Sequence, residues 1–103
     1  MQLRTLAILT IFLGYAQVTY AAGNVDAGRD LVTRSCSSCH AMNSATVATD
    51  GVPPLLVLAR DNKERPAWIR GWLMDPHPPM PSISLSRQQI DNIIAYLNTL
   101  PTD

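Results

Sequence analysis

Two thiols and an imidazole stand together in the run Cys36-Ser37-Ser38-Cys39-His40. Thiols separated by two residues can each add to one of the two vinyl groups of a single porphyrin, forming thioethers. The side chain that follows is then brought beneath the metal, where an imidazole nitrogen serves as proximal ligand. This is the spacing of covalent c-type haem attachment. The second ring nitrogen of His40 then needs an acceptor that fixes its tautomer. Three other chemistries use the same residue types. Structural zinc wants four ligands, and beyond the motif the chain offers only His77, in a proline-rich stretch. A thioredoxin-like redox pair sits in a β-α-β pattern, and no strand–helix–strand alternation is visible. A local disulfide would leave so small a domain without a core. The haem reading is favoured over all three.

The iron's other face decides what such a group can do. The candidates are Met42, Met74, His77 and Met80. Met42 is two residues from His40 and cannot cross to the opposite side of the ring. Met74 falls on a predicted helix, where methionine usually fills core. Met80 lies in Asp75-Pro76-His77-Pro78-Pro79-Met80-Pro81. Prolines at that density stiffen the unfolded chain and favour an extended path. A thioether is a weak neutral ligand, and a stiff segment holds it at little entropic cost. Met80 is therefore the expected axial ligand, opposite His40. His77 in its place would give a bis-His iron of lower potential, but an exposed histidine that titrates near neutrality is the expectation there.

The 103 residues are 47% apolar and 16% charged, with zero formal net charge. That excludes a disordered tail and a nucleic-acid binder carried by bulk positive charge. Residues 1–21 read as a secretory signal: a basic start at Arg4, an apolar run from Leu6 to Gly14, and the small-residue end Thr19-Tyr20-Ala21. The apolar run is short for a membrane span of ~20 residues. Cleavage after Ala21 leaves residues 22–103 as one domain with no stable membrane insertion. Removing Arg4 from the eight basic side chains leaves seven against eight acidic ones. A domain of that size buries little more than ~60% of its unfolded surface and usually needs a staple. Two cysteines three positions apart cannot build a disulfide framework, so a cofactor serving as core meets the need.

Three helices and long loops are expected, with no strand. Asn24 caps the first, from about Val25 to Ser35, with Val25, Gly28, Leu31 and Val32 on one side. Residues 41–62 lack any sustained period and read as loop, punctuated by Asp50-Gly51 and Pro53-Pro54. The second helix starts near Pro66 and ends at Asp75. Its stripe is Trp68, Ile69, Trp72 and Leu73, the tryptophans packing in the core or donating an indole N–H to a haem propionate. In the third, Ser86 and Gln89 form a capping box, Leu85 and Ile90 a hydrophobic staple, and Ile90, Ile93, Ile94 and Leu97 the buried face to about Thr99.

With these residues in place, the chain resembles the class I monohaem cytochromes c, small bacterial ones in particular. The likeness covers essentially all of residues 22–103. It rests on Gly28 in the first helix, the Cys36–His40 motif, Gly51-Val52-Pro53-Pro54-Leu55 after it, the Met80-Pro81 pair, and a last helix ending Ala95-Tyr96-Leu97. The resemblance implies an all-α cytochrome c fold around one haem c, with first and last helices crossing and Gly28 closing against Tyr96. It also implies that the Pro53 carbonyl accepts from His40 and that Leu55 packs on the haem. Val32 stands where the family often has an aromatic. Lys63 is the single lysine, so the lysine-rich docking face of mitochondrial-type carriers is missing.

An iron closed by His and Met exchanges electrons without rearranging ligands, and its potential is raised relative to bis-His. The expectation is a periplasmic electron carrier rather than an enzyme, a monomer or a small subunit, meeting redox partner proteins and no nucleic acid. A haem subunit of a larger dehydrogenase or sulfur-oxidising complex is the alternative. A haem-based ligand sensor requires a labile Met80.

Overall fold

The computed structural model describes residues 22–42, 51–75 and 78–101. Four helices run in the order α1 (Val25–Ser35), α2 (Leu55–Asn62), α3 (Pro66–Met74) and α4 (Arg87–Leu97), with no strand among the described residues. The fold is all-α, as expected, and no described helix is long and apolar enough to cross a membrane. The signal segment 1–21 and His77 lie outside the described residues.

The helix ends follow from their capping residues. The Asn24 side chain accepts from Ala27 N at 2.8 Å, satisfying one of the orphan donors of the first turn. At α4 both halves of the capping box are made, Gln89 N to Ser86 Oγ at 3.1 Å and Ser86 N to Gln89 Oε1 at 2.8 Å. Pro66 opens α3, where its missing N–H costs nothing. After Leu97 the chain tightens through Thr99 N to Tyr96 O and Leu100 N to Leu97 O, ending α4 two residues before the expected Thr99.

One expectation fails outright. Residues 55–62, read as loop, form α2. Leu55-Leu56-Val57-Leu58-Ala59 is apolar on every side, so it shows no 3.6-residue period to read. The helix is also only two turns long. The helix nevertheless buries Leu55, Val57, Ala59 and Asn62.

The main packing is α1 against α4, with α2 and α3 meeting α4 along smaller faces. Val32, Ile69, Ile90, Ile93, Ile94, Tyr96 and Leu97 are buried together with Cys36 and Leu55. Two glycines set how closely α1 approaches. A Cβ at Gly28 would run into the Asn92 carbonyl and lie 3.0 Å from Tyr96 Cβ, and one at Gly23 would strike the Asp91 carbonyl. The closure of Gly28 against Tyr96 is thus present. Asn92 adds a polar tie, its Oδ1 accepting from Asn24 N at 2.7 Å and from Gln88 Nε2 at 2.9 Å. The Arg29 guanidinium lies 5.7 Å from the Tyr96 ring centre on the same seam.

The α3 stripe is only half buried. Ile69 is in the core and Leu73 packs against it, but Trp68 is 38% and Trp72 42% exposed. The two indoles lean on each other, ring centres 5.3 Å apart and tilted by 43°. A nine-residue helix touching its neighbours along one narrow face has room for one i, i+4 pair there, and Ile69 with Leu73 takes it. Core packing of the tryptophans is therefore corrected, and so is Met74 as core filler, since it is 57% exposed.

Two glycine replacements separate close approach from helix propensity. Gly28→Ala should lower unfolding stability by about 3 kcal/mol, because backbone must move to admit the methyl. Gly71→Ala, where nothing lies within 4 Å of the new Cβ, should raise it by ~1 kcal/mol. Denaturant unfolding of both variants checks this; equal effects would contradict the account of the crossing.

Candidate functional site

The Cys36–His40 motif begins where α1 stops. Cys36 is the C-cap, its N–H donating to Val32 O at 2.9 Å. The chain then closes one further turn, His40 N to Cys36 O at 2.8 Å, with Cys39 N also on Cys36 O at 3.2 Å. The thiols are free, Cys36 buried and Cys39 exposed. Burial pushes the Cys36 thiol above its ordinary value, which keeps it a neutral thiol.

His40 is half-buried, with Nδ1 2.7 Å from the Pro53 carbonyl oxygen. A carbonyl oxygen only accepts, so the contact requires a proton on Nδ1. In the neutral ring Nε2 then carries the free lone pair, the form in which imidazole binds a metal. A second bond runs in parallel, Leu55 N to Ala41 O at 2.9 Å. Side chain and following backbone of the motif are thus latched to the start of α2. Leu55 is buried there at 4% exposure, beside a fully buried Pro54.

Met80 is half-buried on the connection between α3 and α4. The structure brings His40, Pro53 and Leu55 together with the cysteine turn, while Met80 comes from a separate element. Met42 packs partly buried against the core.

Among the described residues, no three His, Cys, Asp or Glu side chains gather into a metal-holding group. The donor set is instead one oriented imidazole beside two free thiols in a single turn. That set fits a haem, whose porphyrin would supply the iron's other nitrogen donors and accept the two sulfurs. Cys36 and Cys39 would attach it, and His40 would present Nε2 to its iron.

Comparison with known proteins agrees. Residues 23–97 match the family described as cytochrome c oxidase, cbb3-type, subunit III. The chain belongs to this family of c-type cytochromes. It is 37% identical over 95 residues to cytochrome c-552 of Bradyrhizobium diazoefficiens, covering 89% of this chain and 91% of that protein. No solved structure matches it. As a small monohaem c-type cytochrome it carries covalent haem c and transfers electrons to and from redox partner proteins.

Two contributors escaped the sequence reading. Asn62 is buried at 4% exposure; its Nδ2 donates to Leu58 O at 3.0 Å and its Oδ1 has no partner among the described residues. A half-buried ion pair also joins α3 to α4, Arg70 Nη2 to Asp91 Oδ1 at 2.6 Å. Nothing in residue type marks either one.

The tautomer is open to test. Nitrogen-15 spectra of the reduced protein should show His40 protonated at Nδ1 and not at Nε2. A proton on Nε2 would contradict the Pro53 contact as the orienting bond.

Proposed function

We propose that the chain is an exported, periplasmic one-electron carrier. In this reading residues 1–21 direct export and are removed, and 22–103 form the haem domain. Cys36 and Cys39 hold the haem through thioethers, His40 and Met80 bind its iron from opposite faces, Pro53 orients His40, and Leu55 packs on the ring. The bond from His40 Nδ1 to the Pro53 carbonyl carries the reading, since it presents Nε2 to a metal beside two free thiols.

Bound haem supplies a one-electron couple at a single iron. The protein's part is to keep the surroundings unchanged as the electron comes and goes. His40 cannot rotate without losing its bond to Pro53. Met80 would close the second face to small ligands, and the prolines around it limit the conformations into which it could withdraw. With both faces of the iron closed in this way, the reading is a carrier and not an enzyme.

A second reading is favoured by one finding. The matching family is named for an oxidase subunit, and α3 leaves Trp68 and Met74 partly exposed, apolar surface that a permanent partner would bury. In that reading the same haem domain serves as a subunit of a larger oxidoreductase. Monomeric elution from native extract supports the free carrier; co-elution with a larger chain supports the subunit.

The oxidised protein should show the weak near-infrared band of His–Met ligation, and Met80→Ala should abolish it. An unchanged band in that variant would remove Met80 from the iron. Carbon monoxide binding to reduced wild-type protein at neutral pH would instead favour a sensor.

A further inference from the structure

Met80 is delivered by the connection between α3 and α4, so its hold on a metal depends on how firmly the two stems of that connection are tied. The apolar contact between them is modest, α3 contributing Ile69 and Leu73 to the shared core. Beside Ile69, Arg70 Nη2 donates to Asp91 Oδ1 at 2.6 Å across 21 positions of sequence. The pair is half-buried, 39% and 31% exposed. Arg70 stands five residues before Asp75, where the backbone turns extended at the end of α3, and Asp91 five residues after Ser86, the N-cap of α4. The ion pair therefore spans the base of the connection symmetrically.

Two further observations give that position its meaning. Asp91 is the residue whose carbonyl Gly23 packs against, so it sits on the part of α4 already fixed to α1. Within the connection, Ser84 adopts a φ of 49°, a left-handed conformation that costs a non-glycine residue about 1 kcal/mol. Such a conformation persists only where the surrounding structure imposes it.

We propose that Arg70 and Asp91 form a clip that positions Met80, transferring the rigidity of the α1–α4 pair to the stem of the ligand-bearing connection. Both are positioning residues and neither touches the haem. Opening the clip leaves the fold intact but lengthens the effective loop on which Met80 rides, and the closure entropy of that loop then opposes ligation. The inference rests on the Met80 ligation proposed above.

The test uses the oxidised holoprotein with imidazole as an entering ligand, because at saturating imidazole the substitution rate reports departure of Met80. Arg70→Gln and Asp91→Asn should each speed substitution about fivefold, the range expected for a partly exposed pair. The double variant should be no faster than either single one. Arg70→Lys, which keeps the charge, should stay near wild type. Arg60→Gln, which breaks the exposed Arg60–Asp61 pair on α2, should change nothing. Rates equal to wild type in both single variants, multiplying effects in the double, or equal acceleration by Arg60→Gln would each overturn the clip. The near-infrared band of the wild type separates the two levels. Its absence removes Met80 ligation and the clip with it, whereas a normal band with unmoved rates removes the clip alone.

Discussion

The close passage of α1 over α4 is the constraint from which the site follows. Gly23 and Gly28 let the α4 backbone come where a side chain would otherwise stand, and Asn92 ties the start of α1 to α4 at that point. Cys36 is the cap that ends α1, and Ser86 the cap that begins α4. Fixing the two helices therefore fixes both the start of the attachment motif and the end of the segment that carries Met80. A domain this small has little core volume with which to hold distant segments in place; it anchors their flanking helices to one another.

From that frame the proximal side is set by two short bonds. His40 to Pro53 and Leu55 to Ala41 fasten the motif to α2 by side chain and by backbone. The first also selects the tautomer, so orientation and basicity of the imidazole come from one contact. In the proposed reading Met80 forms the distal side, and that side is built differently. A thioether offers no strong bond of its own, and its placement depends on the stiffness of a proline-rich connection and on its anchored ends. In that reading the two halves complement each other, because little moves between oxidation states at an electron-transfer site.

What could be read in the residues, and what could not, follows from the range of the interactions. Asn24, Ser86 with Gln89, and Pro66 act within one turn, and all three helix starts they imply are present. The Cys36–His40 turn is equally local. α2 was hidden because a segment apolar on all sides carries no phase. The placing of Trp68 and Trp72 was hidden because α3 is apolar on two faces and only its neighbours decide which is buried. The Arg70–Asp91 pair joins positions 21 apart, and many other charge pairings were as plausible from sequence. Local chemistry named the site; tertiary contacts, which no short window contains, decided how it is held.

In the proposed site an iron is gripped between His40 and Met80. The most direct measurement is a proton spectrum of the reduced protein with carbon-13 in its methionine methyl groups. A methyl held against the face of the porphyrin lies in its ring current and moves far upfield. One such signal, lost on replacing Met80 and kept on replacing Met42 or Met74, is the predicted result. An upfield methyl belonging to another methionine, or none at all, would contradict it.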